Sequence, residues 1–186
     1  KEGNFLPIDI LPDGKTAVGL SDVVTDTNAL TTMNLATGEI SVMAEHPETD
    51  LSPIMSIRNG RANEVIGAAY EYDNIDTVFF TDIEDEYFAK VVQSLTNAFP
   101  NASVNINSAT LDNSKIVLSV SSANHPREFY LFDAEKRALS LIIKSKPWLD
   151  KEEIPQTEII SYKARDGLTI KALLTLPKGQ KFFFFF

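Results

Sequence analysis

The chain has 186 residues, of which 44% are hydrophobic and 23% charged, as in an ordinary folded protein long enough for one domain and part of another. Its net charge is −9 and its lysines and arginines form no basic stripe, which argues against nucleic acid and anionic membranes as partners. The absence of cysteine excludes disulfides and thiolate chemistry, and no apolar run reaches the roughly 18 residues that span a bilayer. Composition leaves the compartment open between cytoplasm and periplasm.

Short strands separated by turns organise the first part of the chain. A Pro-Asp-Gly turn at 11–15 precedes a predicted strand over 16–20, and further strands are predicted over 29–34 and 40–44, joined by a hairpin turn at 36–39. The last strand alternates apolar and polar residues, which is typical of a strand with one buried face. This is the first of three similar units.

The third unit repeats the pattern of the first. A turn at 111–115 precedes a predicted strand over 116–120, and strands over 128–133 and 139–143 flank a hairpin turn at 134–137. The strands that close the three units recur at a spacing of about 50 residues, which is the period of β-propeller blades. The sequence therefore predicts a mainly β fold with about three blades of a partial propeller.

The middle unit departs from the repeat. Its strands are predicted over 64–70 and 77–82, after a turn at 58–61, and a helix is predicted over about 83–99. Asp82 is the expected N-cap, and the acidic residues that follow favour the first turn of a helix; a metal site is the alternative interpretation of that acidic triplet. The expected buried face is formed by Tyr87, Val91 and Leu95 with Phe88, Val92 and Phe99.

The last part of the chain differs from the repeats. Residues 144–158 are charged and interrupted by proline, as connectors are, and Trp148 is expected to pack this connector against a domain surface. A hairpin is predicted over 158–163 and 169–176, around the tight turn Arg165-Asp166-Gly167. Five consecutive phenylalanines at 182–186 do not alternate as a strand would, and we interpret 180–186 as an artefactual or non-native tail.

Three motifs in this last part carry a resemblance to a known family. Lys-Pro-Trp-Leu at 146–149, Tyr-Lys-Ala-Arg-Asp-Gly-Leu-Thr-Ile at 162–170 and Leu-Pro-Lys-Gly at 176–179 resemble the domain junction of the prolyl oligopeptidase family of serine peptidases, which includes acylaminoacyl and dipeptidyl peptidases. In that family a β-propeller precedes an α/β-hydrolase domain. The resemblance implies a partial propeller over 1–143, a connector over 144–158 and the N-terminal hairpin of a hydrolase over 159–179.

No catalytic, cofactor-binding or metal-binding residue is predicted in this chain. Its two histidines, His46 and His125, each precede a proline in a loop and are expected to be surface residues rather than general bases. No Gly-x-Ser-x-Gly elbow, phosphate-binding loop or zinc-ligand spacing occurs. No cofactor is expected.

The resemblance implies a non-catalytic fragment of a serine peptidase, whose propeller limits access of short peptides to a hydrolase domain that this chain lacks. Its expected partners are the missing blades and hydrolase domain, or other copies through unpaired blade edges. Two alternatives remain: a non-enzymatic, propeller-like binding or interaction module, and a periplasmic propeller sensor or assembly factor.

Overall fold

The fold is mainly antiparallel β, as predicted. The computed structural model describes residues 3–58, 61–72, 74–81, 83–149, 151–155, 157–177 and 179. In chain order the elements are β1 (Phe5–Ile10), β2 (Thr16–Ser21), β3 (Ala29–Asn34), β4 (Ile40–Ala44), β5 (Ser52–Arg58), β6 (Arg61–Glu71), β7 (Ile75–Phe79), α1 (Glu86–Asn97), β8 (Ser103–Ala109), β9 (Lys115–Ser122), β10 (His125–Asp133), β11 (Ala138–Lys144), a 3₁₀ turn (Lys151–Glu153), β12 (Thr157–Lys163) and β13 (Thr169–Thr175).

The strands form three meandering sheets and a separate hairpin. The first sheet has the order β1-β2-β3-β4, the second β5-β6-β7, and the third β8-β9-β10-β11, while β12 pairs only with β13. This is the arrangement of consecutive propeller blades, each built from strands adjacent in sequence. The structure adds β1, β5 and β8 to the predicted strands, and the middle strand predicted over 77–82 ends at Phe79.

The first and third sheets repeat one another in detail. The backbone N–H of Leu11 donates to the Thr16 carbonyl at 2.8 Å, and the N–H of Thr110 donates to the Lys115 carbonyl at 2.9 Å. Leu11 therefore corresponds to Thr110 rather than to Leu111, the first residue of the turn predicted at 111–115. Many different polar sequences form similar turns, so the residue types alone do not align the two turns. The equivalent backbone hydrogen bonds do align them.

The hairpin turns of these two sheets also correspond. Gly38 has a φ of 73°, and Arg137 takes the same left-handed conformation with a φ of 49°. Asn34 and Asp133 occupy equivalent places before these turns, where the side-chain Oδ1 accepts a backbone N–H three residues later. The third sheet therefore keeps the turn of the first sheet without its glycine.

The second sheet is covered on both faces, so it lies at the centre of the core. Val65 packs with Val18 and Leu30 of the first sheet. The next residue, Ile66, points to the other face and packs with Phe88 of the helix and with the third sheet. Since neighbouring residues on a strand point to opposite faces, this pair shows that the three sheets stack face to face.

Helix α1 packs between the second and third sheets, against buried residues of both. It buries Phe88, Ala89, Val92 and Leu95. The prediction that Tyr87 belongs to the buried face is wrong, because Tyr87 is 65% exposed. The true apolar stripe is centred one position further along the helix.

The helix is shorter than the predicted 83–99 and begins differently. It starts at Glu86, and the side chain of the preceding residue, Asp85, makes no capping hydrogen bond. Instead, the carboxylate of Glu64 on β6 accepts the backbone N–H groups of Glu84 and Asp85, both at 3.1 Å. The N-cap predicted at Asp82 lies outside the described residues.

The hairpin at the end of the chain has the predicted turn. Gly167 takes a φ of 88°, and the Asp166 carboxylate accepts the N–H of Leu168 at 3.1 Å. The packing predicted for Trp148 is wrong among the described residues, since its side chain is 78% exposed. The tail at 180–186 lies outside the described residues, as do Asn59 and Gly60 of the predicted turn at 58–61.

Candidate functional site: the cleft beside the hairpin

An open cleft of about 1170 Å³ lies between the sheets and the final hairpin. Its lining comes from the loop before β5, from the three strands of the second sheet, from β8 at the edge of the third sheet, from Thr96 of α1, and from the β12–β13 hairpin. Since β5 and β8 contact each other, these two edge strands lie where the blades converge. The cleft therefore opens at the convergent side of the stacked sheets.

A row of four side chains in contact, which we call the ladder, lies at the rim of this cleft and consists of His46, Tyr70, Tyr72 and Lys171. The His46 ring lies against the rings of Tyr70 and Tyr72, with centroids 4.9 and 5.0 Å apart. On the hairpin, Lys171 Nζ lies 3.2 Å from the centroid of the Tyr72 ring, which is a cation–π contact. His46 Nδ1 also accepts the backbone N–H of Glu48 at 3.2 Å. The ladder fastens the hairpin to the second sheet.

Sequence reasoning missed this ladder. His46 was expected at the surface, yet it is partly buried and held on two sides. The alternation of Tyr70 and Tyr72 along β6 was an available signal, because residues two apart on a strand share a face. The contact between Lys171 and Tyr72 could not be predicted from the sequence, because these residues are far apart in the chain.

The wall of the cleft carries more negative than positive charge. Glu48, Asp50 and Glu71 line it, together with Lys171. The Asp50 carboxylate is fixed by the N–H and side-chain amide of Asn28, at 2.8 and 3.2 Å. An excess of carboxylates in a concave site raises the local concentration of cationic ligands.

A second cluster of ionisable groups lies on the third sheet, outside the residues that line the cleft. Glu128 is only 3% exposed. Its Oε2 accepts the Tyr130 hydroxyl at 2.6 Å, and its Oε1 lies 3.4 Å from Lys144 Nζ. Burial, reinforced by the bond to the Glu128 carboxylate, raises the pKa of Tyr130 to about 12. The buried carboxylate is thus balanced by donors from two strands.

His125 belongs to this cluster and lies next to the Glu128 carboxylate. Its Nε2 lies 3.0 Å from Glu128 Oε2 without forming an aligned hydrogen bond. Ser122, directly across the hairpin, donates its hydroxyl to Asn124 at 2.9 Å instead. A catalytic triad needs the serine hydroxyl to bond the histidine, so this histidine–carboxylate pair does not form one.

The described residues also contain no cluster of three or more His, Cys, Asp or Glu side chains able to hold a metal ion. Of the acidic triplet at 84–86, only Glu86 lies in α1, in its first turn, and the other two residues directly precede the helix. Within the described ranges, no helical segment has the length and apolar character needed to cross a bilayer.

Two characterised proteins are similar to this chain in sequence. It is 32% identical over 95 residues to the dipeptidyl peptidase family member 6 of Caenorhabditis elegans, a match that covers 51% of this chain and 13% of that protein. It is 22% identical over 170 residues to the dipeptidyl aminopeptidase BIII of Pseudoxanthomonas mexicana, covering 90% of this chain and 23% of the relative. No family model matches the chain.

The solved structures agree with these relatives. The fold is similar to that of prolyl oligopeptidase B from Galerina marginata, with a TM-score of 0.57, 16% identity, and coverage of 97% of this chain and 24% of the other. A prolyl endopeptidase structure gives a TM-score of 0.52 at 13% identity and covers 96% of this chain and 25% of the other. The chain is therefore similar in sequence to dipeptidyl peptidases and in fold to prolyl oligopeptidases. It spans about a quarter or less of the length of these relatives.

Proposed function

We propose that this chain is the junction between propeller and hydrolase in a serine peptidase of the prolyl oligopeptidase family. In this proposal residues 1–143 supply blades, 144–158 connect, and 159–179 begin the hydrolase domain. The catalytic residues belong to the remainder of the parent protein. The chain itself is catalytically silent, and its blades limit entry of substrates to short peptides.

The observation that carries the proposal is the composition of the cleft wall. The cleft is bounded on one side by β5 and β8, where the blades converge, and on the other by the β12–β13 hairpin. A gate between two domains needs surface from both domains around one space. The Lys171–Tyr72 contact holds these two parts together at the rim.

Enclosing a reaction site in this way has two physical consequences. A narrow approach through packed blades excludes folded proteins by size. Removal of water from the enclosed space also strengthens the hydrogen bonds that stabilise an oxyanion. The acidic wall of the cleft adds attraction for the positively charged amino end of a short peptide.

The silence of the chain is tested with fluorogenic aminoacyl and dipeptidyl amides. We expect no hydrolysis above background by the purified 186-residue chain, because neither of its histidines accepts a hydrogen bond from a serine among the described residues. His46→Ala and His125→Ala variants are the matched controls. Turnover that survives purification and is lost in either variant would refute the proposal.

The identity of the parent is tested by its coding sequence and its substrates. We expect a Gly-x-Ser-x-Gly motif downstream of Gly179, and a full-length protein that cleaves short peptides but spares folded proteins containing the same sequence. Another blade repeat or a stop codon in place of that motif would support the non-enzymatic binding module instead. Equal cleavage of short and folded substrates would refute the gate.

A further inference from the structure

The outermost strands of the first and third sheets, β4 and β11, are exposed edges of the same construction. Each ends its sheet and has its inner side paired, β4 with β3 and β11 with β10. Both carry a bulge at the corresponding place, with Met43 extra in one and Ile142 extra in the other. The edge of β11 is markedly apolar, since Leu141, Ile142 and Ile143 are 47%, 54% and 59% exposed.

These two corresponding edges carry opposite charges. The exposed residues Glu39 and Glu45 flank β4, whereas the exposed Arg137 precedes β11 and the exposed Lys144 is its last residue. Lys144 also pairs with the buried Glu128, but its side chain is still 45% exposed. The β4 edge is therefore apolar with an acidic residue at each end, and the β11 edge is apolar with a basic residue at each end. One chain thus carries both of two complementary surfaces.

We propose that β4 of one copy pairs with β11 of a second copy. In an antiparallel arrangement, Glu39 lies beside Lys144 of the second copy at one end, and Glu45 lies beside Arg137 of the second copy at the other. The exposed aliphatic residues of both strands lie between these charges. An unpaired apolar edge strand is a known template for such pairing.

The charges also select against the two symmetric alternatives. Pairing β11 with β11 brings Arg137 beside Lys144 at both ends, and pairing β4 with β4 brings Glu39 beside Glu45. Like charges facing each other disfavour these partners, which is how charge patterns give an interface its specificity. The favoured contact is therefore head-to-tail, and the pair of copies retains one free β4 edge and one free β11 edge, at which further copies can add.

The contact is expected to be weak and sensitive to salt. Both bulges shorten the flat part of the strands, so the buried area falls at the low end for specific interfaces, below about 1,200 Å². We expect a dissociation constant on the order of 100 µM at low salt. Because the flanking charges are exposed, raising the salt concentration to about 0.5 M weakens the association several-fold.

The test uses two variants of the chain that each block one edge. Val42→Lys places a charge on β4, and Ile142→Lys places one on β11. Sedimentation equilibrium across a concentration series is expected to show parent oligomers that grow beyond a dimer, while each variant alone stays monomeric. An equimolar mixture of the two variants has one intact β4 and one intact β11, so it forms a dimer and stops there.

A third variant controls for charge and loss of an exposed aliphatic residue. Leu111→Lys makes the same kind of change in a turn where Leu111 is 75% exposed, and it is expected to associate like the parent. If circular dichroism shows that an edge variant is unfolded, Glu45→Lys and Ser140→Glu replace it, because both positions are exposed. The proposal does not depend on whether the parent protein is a peptidase.

Four outcomes would overturn the proposal. The first is a monomeric parent chain at several hundred micromolar and low salt. The second is association of Val42→Lys alone, which would show that β11 pairs with itself. The third is a mixture that stays monomeric, and the fourth is loss of association in Leu111→Lys.

Discussion

Replacing Phe88 by alanine tests whether α1 holds the second and third sheets together. The side chain is fully buried at 0% exposure and packs with Ile66 and Ile116, one from each sheet. Removing a phenylalanine from such a site costs about 3–5 kcal/mol, because the transfer energy is lost and a cavity remains. With a urea dependence of about 2 kcal/mol per molar, the unfolding midpoint falls by roughly 2 M.

The assay is urea unfolding followed by circular dichroism, with Tyr87→Ala as the neighbouring control. Tyr87 is 65% exposed on the same helix, so its truncation is expected to change stability by no more than about 0.5 kcal/mol. Equal midpoint shifts for the two variants would refute the assignment of the buried face. A shift below about 1 kcal/mol for Phe88→Ala would show that the sheets do not depend on the helix.

Three further predictions concern single residues. Arg137→Gly relieves a left-handed backbone and raises the free energy of unfolding by about 1 kcal/mol, whereas Gly38→Ala at the corresponding turn lowers it by about the same amount. A lower melting temperature for Arg137→Gly, or a higher one for Gly38→Ala, would contradict the match between the turns. Tyr130→Phe removes a donor from the buried Glu128 and costs about 1–2 kcal/mol near pH 7. Because the folded pKa of Tyr130 is raised to about 12 from 10.0, its contribution is complete below pH 10 and is lost as the pH rises through 12. The phenylalanine variant lacks this loss, and parallel pH profiles of the two proteins would contradict it. Gly67→Ala is expected to destabilise the second sheet, since a Cβ there would collide with a carbonyl of the neighbouring strand; an unchanged melting temperature would show that the strands separate freely.

The sequence allowed prediction of the strands whose residues are apolar on one or both faces. It did not reveal β1, β5 and β8, which lie at sheet edges. Pro7 and Pro53 interrupt two of them, and proline normally argues against a strand except at an edge. The third, β8, is rich in serine and asparagine, which have low strand propensity. These three strands form because β2, β6 and β9 pair with them. The alternation of apolar and polar residues within each strand does not indicate that pairing.

The candidate site shows the same division. The Asp166-Gly167 turn was predictable, because its conformation depends on adjacent residues. The contacts of Lys171 with Tyr72 and of His46 with the two tyrosines join segments that are distant in the chain. Sequence periodicity does not show which distant segments come together. The conformation of the turn could therefore be predicted from the sequence, whereas the position and lining of the cleft could not.

The hydrogen bonds that Glu64 accepts from the two residues ahead of α1 have a consequence for the order of folding. A helix of 12 residues is marginal in water by itself, and the first turn is its costliest step. Here the acceptor for the backbone N–H groups just ahead of that turn arrives on a strand some 20 residues earlier in the chain. We therefore expect an excised peptide covering α1 to remain largely unstructured. In the whole chain, we expect the amides of the helix to become protected from hydrogen exchange only after β6 has formed.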